Sequence, residues 1–144
     1  MLALLLLGQL VRPTIAAETG DWLTDLPKAL VQAKSDKKMV FMDFTGSDWC
    51  PGCIDLHNKV LTKPEFAAYA KTNLVLMLVD FPQKGQQTEE LKQENKALSE
   101  KYKVEGFPTL VVLGADGAVL GKIEGYSGES PKEFIAKIEK LKKL

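Results

Sequence analysis

Trp49-Cys50-Pro51-Gly52-Cys53 (WCPGC) contains the only two cysteines of the 144-residue chain, and they stand three positions apart. The segment before it, residues 39–45 (MVFMDFT), is a short apolar run typical of a buried strand, and residues 46–48 predict a loop. The apolar spacing of Cys53, Leu56 and Val60 predicts a helix from Cys50 to about Leu61. The pattern therefore places the cysteine pair on the first turn of a helix that directly follows a strand, a context that favours redox chemistry.

A cysteine at the start of a helix lies beside unpaired backbone N–H groups and the positive end of the helix dipole. Cys50 is therefore expected to be the more acidic thiol and the attacking nucleophile. Cys53, further into the turn, is expected to be more buried and to resolve a mixed disulfide by attacking Cys50. Pro51 lacks an N–H, a loss that the first helical turn tolerates. The pair closes too small a loop to restrain the unfolded chain much, which favours reversible chemistry.

Two other interpretations of the cysteine pair remain open at this point. The pair could be half of a zinc site, with His57, the one histidine of the chain, four residues after Cys53 as a third ligand. A structural zinc site normally has four ligands, so this interpretation is one ligand short. The other alternative is an inert structural disulfide. His57 is otherwise expected to be a surface or partly buried helix residue, and no metal is predicted.

The remainder of the chain alternates between helical and strand patterns. Helices are predicted over 25–35, from a capping box at 62–65 to about Lys71, over 88–102 and over 130–143; strands are predicted over 74–79, 109–113 and 119–124, the last two joined by a turn at Asp116-Gly117. This order predicts one domain with an α/β layered fold. The two early strands, joined through helices, are expected to be parallel, and the late hairpin adds antiparallel strands.

A second motif, Gly106-Phe107-Pro108-Thr109, stands at the entrance of the predicted strand 109–113, where a proline is tolerated. The sequence resembles the thioredoxin superfamily over roughly residues 26–144. The segments that carry the resemblance follow one another in the expected order: MVFMDF, WCPGC, the strand ending in Asp80, VEGFPTLVVL and DGAVLGKIEGY. The stretch FTGSDWCPGC resembles the exported bacterial branch, including the redox domains of thiol:disulfide interchange reductases. The resemblance implies a thioredoxin-like α/β fold with a central mixed sheet of about four strands flanked by helices.

The resemblance also implies a substrate-docking surface around the cysteines. Pro108 is expected to be a cis proline packed beside the disulfide, and Phe107 to offer backbone groups to an extended substrate segment. Trp49 is expected to flank the sulfur. Together with Pro51 and Gly52, these residues form the predicted substrate-binding set.

Thioredoxins carry a buried acid six residues before the first cysteine, which assists proton transfer to the second. Here the candidate is Asp43, seven residues before Cys50, because residues 46–48 lengthen the loop by one. Asp43 is expected to be the proton acceptor, the alternative being a carboxylate bonded to local backbone. Asp48 is expected to be solvated. The lysine that thioredoxins pair with their buried acid has no counterpart in residues 74–80 (LVLMLVD), so the tuning of this site cannot be carried over.

Charge and the N-terminal composition bear on partners and compartment. The 19 basic and 19 acidic side chains balance, so nucleic-acid binding is not predicted.

Residues 2–11 are almost wholly apolar and are followed by Ala16-Ala17, although no Lys or Arg precedes the apolar run. The run suits a signal peptide and is too short to span a bilayer. The expected organisation is a signal peptide over residues 1–17 and a thioredoxin-like domain over 18–144, periplasmic or secreted, with no stable membrane insertion after cleavage.

The combined prediction is a thiol–disulfide oxidoreductase outside the cytoplasm, with reduction favoured over oxidation because the motif resembles the reducing branch. Its expected partners are protein thiols and disulfides and a redox partner that recharges the cysteine pair; no cofactor is required. The alternative is a protein-binding or chaperone-like module that uses the groove beside Pro108 with little turnover. The loop 81–90 either shapes substrate choice or is a tolerated insertion.

Overall fold

The structure, a computed structural model, describes residues 21–144. Within these residues the chain forms five α-helices and four β-strands: α1 (Leu26–Asp36), β1 (Met39–Thr45), α2 (Pro51–Leu56), α3 (Pro64–Asn73), β2 (Leu74–Asp80), α4 (Glu89–Lys101), β3 (Thr109–Leu113), β4 (Val119–Glu124) and α5 (Pro131–Lys142). The predicted signal peptide, residues 1–17, lies outside the described residues. Among the described residues, none of the helices has the length and apolar character needed to cross a membrane.

The four strands form one mixed sheet in the order β2-β1-β3-β4. Strands β1 and β2 are parallel, with Asp43 opposite Leu78, and β3 is antiparallel to both β1 and β4. The predicted mixed sheet, its parallel pair and its late hairpin are therefore confirmed. The N–H of Leu23 also donates to the carbonyl of Leu76, which extends the sheet at the free edge of β2.

Strand β1 is buried along its whole length because helices cover both faces of the sheet. Successive side chains point to opposite faces, so Met42 packs in the core beside Ala29 and Ala33 of α1. Phe41 lies in the opposite core with Leu56 of α2. Asp43, two residues after Phe41, therefore follows the face that α2 covers.

The helix that carries the cysteines reaches Leu61, as predicted, and changes its geometry part-way. The α-helix ends at Leu56, and residues His57–Leu61 continue as one π-helical turn. The N–H and the hydroxyl of Thr62 both donate to the carbonyl of His57, the hydroxyl at 3.0 Å. A bond spanning five residues widens the turn, so the predicted helix to about Leu61 is present and its last turn is π-helical.

The start of α3 corrects a prediction. Lys63 is the N-cap and makes no side-chain capping bond, with Pro64 in the first turn as expected. The hydroxyl of Thr62 is used by the preceding π-helical turn instead. The capping box predicted at residues 62–65 is therefore absent, whereas Ser130 and Glu133 form a complete one at the start of α5.

Candidate active site

The two cysteines are joined in a disulfide across the first turn of α2. Cys50 is the N-cap, with extended backbone, and the N–H of Cys53 donates to its Sγ at 3.3 Å. The Cα atoms of the pair lie 5.2 Å apart. Both residues are buried, Cys50 with 6% and Cys53 with 4% of its surface exposed. Cys53 is thus more buried than Cys50, as expected, but in the disulfide state the exposed fractions differ very little.

The loop before α2 brings Cys50 to this position. The N–H groups of Trp49 and Cys50 both donate to the carbonyl of Gly46, at 3.2 and 2.9 Å, and so form a tight turn at the end of β1. The helix then begins with Pro51, where a missing N–H costs nothing, and the N–H of Ile54 closes the first turn on the carbonyl of Cys50.

The loop before β3 meets the cysteine helix at Gly52. The Phe107–Pro108 peptide bond is cis. A Cβ on Gly52 would lie 3.4 Å from Cδ of Pro108, so the two residues are in close contact. The carbonyl of Pro108 accepts the N–H of Gly125 at 2.8 Å, which ties this loop to β4. A shallow groove of about 310 Å³ runs beside Phe107 and Pro108.

Trp49, Phe81 and Phe107 pack against one another beside the disulfide turn and are called the aromatic cluster below. Trp49 meets Phe107 edge to face at 6.0 Å between ring centroids, and Phe107 meets Phe81 at 5.1 Å. The indole N–H of Trp49 donates to the carbonyl of Phe81 at 2.8 Å. Trp49 remains 38% exposed, so the cluster presents an apolar surface to solvent.

Asp43 is a buried carboxyl group on the face of the sheet that α2 covers. It is 6% exposed, and within residues 21–144 its Oδ1 has no hydrogen-bond partner. Burial, and to a smaller extent the negative charge of Asp80, raises the pKa of Asp43 to about 7. The alternative of a carboxylate satisfied by local backbone therefore does not hold for Oδ1. A group with this pKa can exchange a proton near neutral pH.

Three polar residues near the site carry contacts that the sequence did not predict. Asp48, expected to be solvated, accepts backbone N–H bonds from the loop after β2. Asp80 accepts the N–H and the hydroxyl of Ser47, at 3.0 and 2.6 Å. Asn95, buried on α4, donates to the carbonyl of Asp80 at 3.0 Å. These bonds join segments 15 to 37 positions apart, so no local pattern could reveal them.

His57 does not join the cysteines in a ligand cluster. Its side chain is exposed on the π-helical turn. Across residues 21–144, the structure groups no three His, Cys, Asp or Glu side chains in an arrangement that could hold a metal ion.

A family model described as a thioredoxin-like domain matches residues 26–142. The chain belongs to the thioredoxin-like family. With its disulfide-bonded cysteine pair on the first turn of α2, it is a thioredoxin-like protein-disulfide oxidoreductase. The resemblance seen in the sequence and the predicted fold class are both confirmed.

Individual relatives agree with this assignment. The chain is 39% identical over 136 residues to the disulfide bond reductase DsbH of Chlamydia pneumoniae. The matched region covers 94% of this chain and 80% of that protein. It is 30% identical over 107 residues to thioredoxin H5 of Arabidopsis thaliana, covering 73% and 75%. A solved structure of the DsbH oxidoreductase matches with a TM-score of 0.81 at 39% identity, over 94% of this chain and 92% of that one.

Proposed function

We propose that this chain reduces protein disulfides outside the cytoplasm, with Cys50 as the nucleophile and Cys53 as the resolving thiol. The observation that carries the proposal is the position of Cys50 at the N-cap of α2, with the Cys53 N–H directed at its sulfur. In the reduced protein the same N–H and the helix N-terminus favour a thiolate at Cys50. The similarity to a disulfide bond reductase supports the reducing direction.

The reaction is an exchange of one disulfide for another. The Cys50 thiolate attacks one sulfur of the substrate disulfide, and the substrate's other sulfur leaves as a thiolate and takes up a proton. Cys53 loses its proton, attacks Sγ of Cys50 and releases the second substrate thiol. The substrate gains two electrons and two protons, and the Cys50–Cys53 disulfide forms. A dithiol redox partner must then reduce this disulfide to restore the active pair.

Asp43 is proposed as the acceptor of the Cys53 proton. Its carboxyl lies on the α2 face and has a pKa of about 7, so it is a base above that pH and an acid below it. A base buried on this side of the sheet can activate Cys53 without depending on bulk hydroxide.

The contact of Gly52 with Pro108 brings the start of α2 and the loop before β3 together beside the disulfide. The docking site is therefore proposed to be lined by Trp49, Pro51, Gly52, Phe107 and Pro108.

Export to the periplasm or the exterior is proposed from the apolar run 2–11 and the alanines at 16 and 17, which suit export and cleavage. Expression of the full chain in a bacterial host tests this directly. We expect the periplasmic fraction to contain a shortened protein that begins near residue 18. A full-length protein confined to the cytoplasm would contradict export.

The redox direction is tested by equilibrating the purified domain with glutathione buffers and measuring the Cys50–Cys53 reduction potential. A value near or below about −250 mV is expected, since this is the thioredoxin end of the scale. A value above about −150 mV would mark an oxidant and overturn the proposed direction. A variant with both cysteines replaced by serine distinguishes an enzyme from a protein-binding module. If this variant binds client proteins as well as the wild type does, and the wild type itself shows no turnover, the binding module is favoured.

A further inference from the structure

The loop after β2, residues 81–87, contains neither helix nor strand, and Asp48 holds its tip. The N–H groups of Gln83, Lys84 and Gly85 donate to the Asp48 carboxylate at 2.9, 2.7 and 2.8 Å. These bonds, that from Gln83 foremost, hold the pKa of Asp48 below its usual value. Asp48 is therefore ionised at neutral pH, and hydrogen bonds to an ionised acceptor are stronger than neutral ones.

The base of the same loop is held by the neighbour of Asp48. The indole N–H of Trp49 donates to the carbonyl of Phe81 at 2.8 Å, while the N–H of Phe81 donates to the carbonyl of Thr45. Two consecutive residues immediately before Cys50 thus bind the base and the tip of segment 81–85. A displacement of the tip is transmitted to the Phe81 carbonyl because only one residue, Pro82, separates Phe81 from Gln83.

The orientation of Trp49 depends on this loop. Its indole lies over Gly46, where an added Cβ would overlap the ring, and its edge meets Phe107. These contacts are apolar and allow the ring to tilt. The bond to the Phe81 carbonyl is the directional contact among them, and it fixes the direction in which the indole N–H points.

We propose that Asp48 is a positioning residue that determines how protein substrates dock, by fixing residues 83–85 and through them the Phe81 carbonyl that orients Trp49. This inference rests on the proposed function. The Asp48 carboxylate bonds to the loop, whereas the cysteine sulfurs are held by the turn at Gly46 and by α2. Its loss therefore alters substrate docking and leaves the exchange chemistry intact.

The test compares Asp48→Asn with the wild-type protein on two disulfides of different size. For insulin, a protein substrate, we expect KM to rise by about three- to tenfold with kcat within about twofold, because uniform binding is lost. For hydroxyethyl disulfide, which is too small to use the aromatic cluster, the rate is expected to be unchanged. The reduction potential is expected to be unchanged as well. Asp48→Ala, which removes both acceptor oxygens, is expected to raise KM for insulin further than Asp48→Asn, which keeps one of them.

Asp116→Asn is the matched control, since Asp116 also accepts a backbone N–H in a surface turn, from Ala118, within the β3–β4 hairpin. It is expected to match the wild type on both substrates. Hydrogen exchange at Gln83, Lys84 and Gly85 should accelerate in Asp48→Asn. An unchanged KM for insulin despite accelerated exchange would overturn the inference, as would an equal loss on both substrates. A wild-type protein inactive on both disulfides would instead refute the proposed function.

Discussion

The backbone N–H of Cys53 donates a hydrogen bond to Sγ of Cys50 across the first turn of α2. In the reduced protein this donor is expected to stabilise a negative charge on Cys50 and not on Cys53. The two thiols are therefore chemically unequal although both are buried. This asymmetry supports the proposal that Cys50 performs the first step of the reaction, and it leads to the first prediction.

Alkylation of the reduced protein with iodoacetamide near neutral pH is expected to modify Cys50 at least about tenfold faster than Cys53, because the thiolate is the reactive species. Peptide mass spectrometry measures the two rates in one sample. The urea-unfolded protein is the control, since the helix and its donor are lost there and the rates are expected to converge. Preferential modification of Cys53 in the folded protein would reverse the assigned roles.

A Cys53→Ser variant is expected to accumulate a mixed disulfide with a protein substrate, because no resolving thiol remains to release it. Cys50→Ser is expected to accumulate none. Non-reducing electrophoresis of each variant after incubation with a disulfide-containing substrate measures this. Equal trapping by both variants would show that either thiol can attack, contrary to the proposed order.

Asp43→Asn is expected to slow the resolving step and to spare the first. The wild-type rate of release is expected to rise up to about pH 7 and to level off above it, where Asp43 is a base, whereas the variant, left with bulk hydroxide, is expected to release more slowly and at a rate that keeps rising with pH. Rapid-quench measurement of mixed-disulfide formation and decay separates the two steps. If release in the variant keeps the wild-type pH profile, Asp43 is not the proton acceptor.

Asp43→Asn also carries a stability prediction. The folded-state pKa of Asp43 is raised to about 7, so the folded protein retains a proton that the unfolded chain releases. The contribution of this group to stability therefore falls as pH rises from about 4 to about 7. Relative to the wild type, the variant is expected to gain about 2 to 3 kcal/mol between about pH 5 and about pH 8.

Urea unfolding at the two pH values measures this gain. The exposed residue Asp36, on α1, offers the matched control Asp36→Asn, which makes the same substitution at a site that is not buried. If the difference in unfolding free energy between Asp43→Asn and the wild type is the same at both pH values, ionisation of Asp43 does not destabilise the folded protein.

The sequence predicted what depends on local pattern and missed what depends on contacts across the chain. The buried strand β1, the helix start at Cys50 and the hairpin at Asp116-Gly117 all have short-range signals, and the structure contains them. The π-helical turn after Leu56 depends on how Thr62 satisfies the His57 carbonyl. Both a capping box and this back-bond are compatible with the sequence around Thr62, and packing selects between them.

The same distinction applies to the candidate site. The cysteine pair stands out in the sequence because its two members are neighbours on one helical turn. The role of Asp48 does not, because its three donors lie 35 to 37 positions away in a loop without regular structure. Asp43 was singled out by the resemblance to the buried acid of thioredoxins, but its unsatisfied Oδ1 becomes evident only when the surrounding side chains are in position.

Gly46→Ala tests whether the indole of Trp49 needs the space that glycine leaves. An added Cβ would overlap the ring, so Trp49 is expected to move away from the Phe81 carbonyl. Gly106→Ala is the matched control because a Cβ there has no heavy atom within 4 Å. In a Trp22→Phe background, which leaves Trp49 as the only tryptophan, a red-shifted fluorescence maximum is expected for Gly46→Ala alone. An unshifted spectrum would show that the turn adapts and that Gly46 does not set the position of Trp49.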